Sequence, residues 1–144
     1  MKYYTTEDER QTQLQLIAQG YESNKGLHNY IHLDLDNNYI VQHPAIDEDE
    51  DLMLVRENVA KLILAKRTSH ILFVANMYRT VNNKTVKCIV VHTCNPEEEN
   101  MYVARCKRKG SRKFLSEFEK IDFGGATKGL FGDFFSMNKE KEAI

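Results

Sequence analysis

The sequence contains few residues that interrupt regular structure, with two prolines and seven glycines among 144 residues. This low content excludes collagen-like chains and chains that are disordered because they are rich in proline or glycine. Hydrophobic residues make up 42% and charged residues 28%, as in globular proteins. A chain of this length can bury one core without disulfides or metal. We therefore predict a single domain over residues 1–137 and a disordered tail over residues 138–144.

Long apolar runs are also absent. No run approaches the roughly 20 residues that a membrane-spanning helix needs, and the N-terminus lacks the apolar segment of a signal peptide. Cysteine is scarce, because the chain has only three, Cys88, Cys94 and Cys106, without the spacing of a disulfide framework. These absences predict a cytoplasmic protein with reduced thiols and without a membrane partner.

A large net charge is absent as well. The 20 basic residues balance 21 acidic residues, and the formal net charge of −1 does not make the whole chain a polycation. Acidic residues instead cluster within residues 47–51 and 97–99, and basic residues cluster between Arg105 and Lys113. This segregation predicts separate acidic and basic patches on the surface. The acidic run at 47–51 can dock on a basic partner, but it also suits the start of a helix.

The pattern of apolar residues predicts an α+β fold. Thr6 and Glu9 have the spacing of a capping box at a first helix, and the acidic run 47–51 precedes a second. Alternating residues and the asparagine pairs at 37–38 and 82–83 indicate hairpins. The predicted order is α-β-β-α-β-β-β-β, with two helices packed on one face of a mostly antiparallel sheet of about five or six strands.

The basic cluster is the strongest candidate for a binding site. It contains no acidic residue, and aromatic residues lie beside it in the sequence. Lysine and arginine can neutralise phosphates, aromatic rings can stack on unpaired bases, and the backbone at Gly110–Ser111 can donate to a phosphate. A solvated turn is the alternative. The predicted nucleic-acid-binding residues are Arg105, Lys107, Arg108, Lys109, Arg112, Lys113, Tyr102 and Phe114.

Two groups of side chains have the chemistry of metal ligands. Cys88, His92 and Cys94 project from one face of a predicted strand, and Cys106 on the neighbouring strand could complete a zinc site. The spacing matches no established zinc motif, and a packed core with buried thiols explains the same residues. The sequence therefore assigns no metal to this group.

The second group is His32, Asp34 and Asp36, which alternate along one predicted strand. Imidazole and carboxylate ligands of this kind could hold a divalent metal for phosphodiester hydrolysis. Polar side chains on the wet face of a strand are the alternative. Neither a nucleophile with its base nor a complete metal motif is present, so an enzyme is the less favoured interpretation.

The C-terminal region is rich in glycine and phenylalanine. Its glycines lack the lysine and threonine of a phosphate-binding loop, so we predict no nucleotide cofactor. Phe131, Phe134 and Phe135 either pack on the core of the same chain or dock on another chain.

The sequence as a whole favours a small cytoplasmic, non-enzymatic protein that binds RNA or single-stranded nucleic acid, or another polyanion, through the basic cluster. The first alternative is a protein-interaction module, an adaptor or inhibitor that self-associates or binds a partner through the phenylalanine-rich tail or the acidic run. The second alternative is a metal-dependent nuclease centred on His32, Asp34 and Asp36.

Overall fold

The computed structural model describes residues 6–35, 39–44, 49–121 and 131–142. Helices and an antiparallel sheet combine within these residues, which confirms the predicted α+β class. The elements are α1 (Glu7–Asn24), β1 (Tyr30–Leu35), β2 (Tyr39–Pro44), α2 (Asp49–Leu64), β3 (Ile71–Val81), β4 (Lys84–Cys94), β5 (Glu99–Lys109), β6 (Arg112–Leu115), β7 (Glu119–Ile121) and α3 (Gly132–Glu142). No helix in this part of the chain is both long and apolar enough to cross a membrane.

The strands of the sheet lie in the order β2-β1-β3-β4-β5-β6. Strand β7 pairs with β5, as β6 does. All the pairings between the described strands are antiparallel, as predicted. The predicted last strand, residues 113–121, is divided into β6 and β7. Between them the backbone N–H of Ser116 still donates to the carbonyl oxygen of Arg105 in β5 at 2.9 Å.

The helices lie on both faces of the sheet, which corrects the prediction of one covered face. Alternate residues of β3 enter different clusters, because successive side chains of a strand point to opposite sides. Ile71 and Phe73 pack with α2 and α3, whereas Leu72 and Val74 pack with α1. The apolar start of β3 is therefore buried on both sides, as the sequence predicted for a central strand.

Helix α1 begins at the predicted capping box. Oγ1 of Thr6 accepts from the backbone N–H of Glu9 at 3.1 Å and donates to Oε1 of the same residue at 2.9 Å. The second predicted helix begins at Asp49. Residues 45–48, which include the start of the acidic run, lie outside the described residues. The predicted turn at 37–38 also lies outside them.

A polar network fastens α1 to the sheet. Nε of Arg10 donates to the Tyr102 hydroxyl at 3.0 Å, and that hydroxyl donates to Oε2 of Glu7 at 3.0 Å. Nη1 of Arg10 also donates to Oε1 of Glu98 at 2.7 Å. Hydrogen bonds from Gln11, Arg10 and Tyr102 lower the pKa of Glu7 to about 2. The buried guanidinium of Arg10 is thus compensated by two carboxylates.

The third helix was not predicted. The tail predicted from residue 138 is helical as far as residue 142, and Nδ2 of Asn138 donates to the carbonyl oxygen of Ile63 at 2.6 Å. Phe131 and Phe135 are buried against the α2 face of the sheet, and Phe134 is partly buried there. Of the two interpretations of these phenylalanines, packing within the same chain is the one that the contacts support. The extent of the domain, residues 1–137, stays a prediction.

The buried carboxylate of Glu99 fixes the backbone just before α3. Oε2 of Glu99 accepts from the backbone N–H of Phe131 at 2.8 Å and lies 2.5 Å from Nε2 of His92. Both side chains are at least nine-tenths buried, with 9% and 7% exposed. Because His92 also meets the Phe131 ring edge-on, the residue is held by polar and aromatic contacts together.

We predict that Phe131→Ala lowers the free energy of unfolding by about 3–5 kcal/mol, because it removes a fully buried aromatic ring from the core. Met137→Ala is the matched control on α3, since this side chain is 44% exposed and should change the free energy by no more than about 0.5 kcal/mol. Urea denaturation measures both changes. Unchanged stability of Phe131→Ala, together with loss of a wild-type oligomer, would instead make Phe131 an interface residue.

Candidate nucleic-acid interface

The sheet divides into two arms at one end. The pairing of β4 with β5 begins at Cys94 and Glu99 and stops at Cys88 and Arg105. Beyond this point β4 remains paired with β3, and β5 is paired with β6. We call residues 77–87 the first arm and residues 105–113 the second arm. Together they form the basic end of the sheet.

Tight turns close both arms. Asn82 and Asn83 have φ values of 50° and 63°, the left-handed pair of a type I′ hairpin turn, as the sequence predicted. The second arm turns at Gly110, whose φ of 62° a side chain would strain. The turns are short, so the basic side chains project from paired strands. Their positions are therefore fixed by the sheet.

The second arm brings together the predicted basic residues. Its pairs in register are Lys109 with Arg112 and Arg108 with Lys113, and Lys107 lies opposite Phe114. The exposed side chains are Arg105, Lys107, Arg108, Lys109, Arg112 and Lys113. The predicted cluster is thus a surface of one hairpin.

The first arm adds cations that the sequence analysis missed. Arg79, Lys84 and Lys87 are exposed and lie on the same end of the sheet as the second arm. These three cations are spread over β3 and β4, so they form no dense basic run in the sequence. A signal was present, because neither Asp nor Glu occurs anywhere in residues 58–96 or 100–116. The two acid-free segments are the ones that supply both arms.

Arg79 and Arg105 come from different arms and lie near the point where the arms separate. Met77, Cys88 and Arg105 form a row across β3, β4 and β5. Burial and the neighbouring Cys106 raise the pKa of the Cys88 thiol, whereas the charges of Arg79 and Arg105 act in the opposite direction. Arg105 belongs to the last β4–β5 pair, and Arg79 lies two residues beyond Met77 on the same face of β3, so both residues border the point where the arms separate.

Few of these cations are neutralised by the protein. Nε of Arg112 pairs with Oε1 of Glu22 on α1, and Nε of Arg108 donates to the carbonyl oxygen of Gly110 at 3.0 Å. Within the part of the chain that the structure describes, the other basic side chains of the arms form no ion pair. These are Arg79, Lys84, Lys87, Arg105, Lys107, Lys109 and Lys113.

The two predicted aromatic residues do not offer open rings. Tyr102 is 1% exposed and its hydroxyl is held by Arg10, so it belongs to the core and not to the surface. Burial raises the pKa of Tyr102 to about 12. Phe114 is half-buried, and the guanidinium carbon of Arg112 lies 4.5 Å from its ring centroid. We therefore exclude Tyr102 from the candidate site. We keep Phe114 in it, because its ring supports Arg112.

The cysteine group does not assemble a metal site. Cys88 and Cys94 are buried, and Nε2 of His92 is occupied by Glu99. Cys106 lies on the opposite face of the sheet, where it packs with the α1 cluster. Among the described residues, no group of three or more His, Cys, Asp or Glu side chains could hold a metal ion.

Asp34 is a structural residue and not an open ligand. Its side chain is 1% exposed. Its oxygens accept hydrogen bonds from Thr68, Ser69 and His70, where β3 begins, at distances of 2.7–3.1 Å. Asp36, its proposed partner, lies outside the described residues. The carboxylate therefore fixes the entry to the central strand and has no oxygen left open for a metal.

Comparison with known proteins does not identify the site. No protein-family model, curated protein or solved structure matches the chain.

The buried carboxylate of Asp34 should make the stability of the fold depend on pH. Burial alone raises a carboxyl pKa, but hydrogen bonds from His70, Ser69 and Thr68 outweigh it and hold the pKa of Asp34 well below its usual range. The unfolded chain therefore binds more protons at low pH, and the stability that Asp34 contributes is lost as the pH falls. We predict that Asp34→Asn costs about 2–3 kcal/mol at neutral pH.

This deficit should shrink as the pH falls below about 4, where the unfolded aspartate becomes protonated. Urea titrations of wild type and variant at several pH values measure it. Asp8→Asn on the exposed first turn of α1 is the control, with an expected cost of no more than about 1 kcal/mol. A deficit for Asp34→Asn that is equally small at neutral pH would contradict the structural role of Asp34.

Proposed function

We propose that the protein binds RNA or another phosphate-bearing polymer through the basic end, as a binding protein and not as an enzyme. The observation that carries this proposal is the set of exposed cations on both arms that have no ion-pair partner among the described residues. Some exposed cations outside the arms do have a carboxylate partner, as Lys139 does with Glu97 and Lys120 does with Glu7.

Physical chemistry supports a polyanionic ligand. Like charges on adjacent strands repel one another and destabilise the pairing. A polymer of phosphates reverses this cost, because it neutralises several cations at once and releases its own condensed counterions. The formal net charge of −1 means that the attraction is local to the basic end. Acidic residues on the rest of the molecule would repel the same ligand and favour one orientation.

The position of the cations also supports an extended ligand. They lie on two separate hairpins, and Arg79 and Arg105 lie near the point where the two arms separate. A strand that crosses this junction can contact both arms, whereas a small anion can contact only one point. We take Arg79 and Arg105 as the centre of the proposed interface and Lys84, Lys107 and Lys109 as flanking contacts.

We also propose a reducing, cytoplasmic setting. Cys88, Cys94 and Cys106 are all free thiols, and Cys88 and Cys94 are buried. Cys106 lies on the other face of the sheet from the other two cysteines, so the fold leaves it without a disulfide partner. Reduced thiols are normal for cytosolic proteins.

The alternatives receive less support. Self-association through the phenylalanine-rich tail would require Phe131 and Phe135 to leave the core. A nuclease centred on Asp34 would require its carboxylate to give up the hydrogen bonds that fix the start of β3. Neither alternative is favoured by a specific observation on the described residues.

We predict that the wild type binds single-stranded RNA with an affinity that falls steeply with salt. The logarithm of the binding constant should fall by about 0.7 per phosphate contact for each tenfold rise in salt. Arg79→Gln/Arg105→Gln should weaken binding and reduce this slope by about 1.4, since it removes two contacts. Fluorescence anisotropy with labelled RNA at several salt concentrations measures both quantities.

The matched control is Lys61→Gln/Lys139→Gln, which removes the same charge from exposed positions on α2 and α3. It should keep the wild-type slope. Arg79 and Arg105 are preferred to Arg108 and Arg112 because the latter already have partners within the chain. Absence of wild-type binding to RNA, DNA and heparin even at low salt would overturn the proposed function.

A further inference from the structure

Tyr78 is an exposed aromatic residue at the basic end. Its side chain is 71% exposed, more than those of Leu16, Met77 and Met137, the other large apolar side chains that the structure places on the surface. We propose that Tyr78 is a base-stacking platform, so that the ligand is a nucleic-acid strand with unpaired bases. This inference rests on the proposed function and specifies its ligand class.

The surroundings of Tyr78 suit a nucleotide. Lys87 lies directly opposite it in the β3–β4 register, which places the two Cβ atoms about 4.5–5.5 Å apart. An ammonium group beside an open ring offers a phosphate contact next to a stacking surface. Arg79 follows Tyr78 in the chain and projects from the other face of the arm, the face that it shares with Arg105.

The platform is held by a rigid support. Just before Tyr78, the side chain of Asn76 donates to the carbonyl oxygen of Leu27 at 2.7 Å, and its backbone N–H donates to Oδ1 of Asn29 at 2.7 Å. These bonds fix β3 to the segment between α1 and β1. Because the strand is fixed two residues earlier, little conformational entropy is lost when a base stacks on the ring.

The other aromatic residues near the arms cannot serve in this way. Tyr102 is buried, and Phe114 is half-buried with Arg112 over its ring. In a duplex both faces of each base are already stacked, so an exposed ring gains nothing from paired strands. An unpaired base has a free face, and stacking on an aromatic side chain is favourable for any base. The arrangement therefore favours single strands over duplexes.

The first experiment uses the absence of tryptophan from the chain. Tyr78→Trp introduces a single indole, whose emission should be quenched when a base stacks on it. The probe is an oligoadenylate of about 16 nucleotides, the upper end of single-strand site sizes. Inorganic polyphosphate, which has charge but no bases, should bind without quenching. Leu16→Trp on the exposed face of α1 is the control and should show no quenching with either probe.

The second experiment measures affinity. Tyr78→Ala should weaken oligoadenylate binding about 5- to 150-fold, as expected for the loss of one stacked base. It should leave the salt slope and the polyphosphate affinity unchanged, and Tyr78→Phe should bind as the wild type does. The oligoadenylate duplex with oligouridylate should bind the wild type more weakly than the single strand and be insensitive to Tyr78→Ala.

Several outcomes would overturn the inference while the proposed function survives. They are full oligoadenylate affinity in Tyr78→Ala, an equal loss of polyphosphate affinity, or equal quenching of the Leu16→Trp control. If the wild type bound neither oligoadenylate nor polyphosphate, the proposed function would fail and the inference with it. The two failures are therefore distinguished by the wild-type titration alone.

Discussion

The structure depends on the burial of the first half of β3 between two layers of helix. Residues 71–75 are buried on both faces, with α1 on one side and α2 and α3 on the other. An 11-residue strand is longer than this cover, since it extends over about 36 Å. The second half of β3 must therefore leave the core, and the partner strands leave with it. The arms of the basic end are the consequence, because the same hydrogen-bonded ladders that form the core continue past its limit.

Buried polar groups fix the segments that apolar packing leaves undetermined. Asp34 holds the start of β3, Glu99 holds the backbone before α3, and Arg10 fastens α1 to the sheet. Each contact joins segments far apart in sequence through hydrogen bonds whose geometry is narrow. An unsatisfied buried charge is costly, so each network favours a single arrangement of the elements around it. Polar residues that resemble catalytic or metal-binding groups in the sequence are here the residues that define the fold.

Local signals in the sequence predicted local structure well. The capping box at Thr6, the turn at Asn82 and Asn83, and the apolar start of β3 are all where the patterns indicated, because each depends on neighbours in the chain. Three features depend instead on contacts across the sheet. They are the placement of helices on both faces, the division of the last strand and the burial of Tyr102. Alternation along β5 placed Tyr102 on a definite face, but only the position of α1 decides whether that face is covered. Arg79 was missed for a similar reason, since strand pairing in three dimensions brings it to the same end of the sheet as Arg105.

The molecule separates stability from charge along the length of its strands. Near the helices, β3, β4 and β5 carry the buried residues, and the exposed cations begin where this burial ends. Repulsion among those cations acts on hairpin ends that contribute few buried contacts, so it costs the folded state less than the same charges would beside the core. Side chains in the arms can therefore be arranged for a ligand without opposing the packing that defines the fold. The arrangement also keeps the cations on paired strands, which limits the ordering that binding requires.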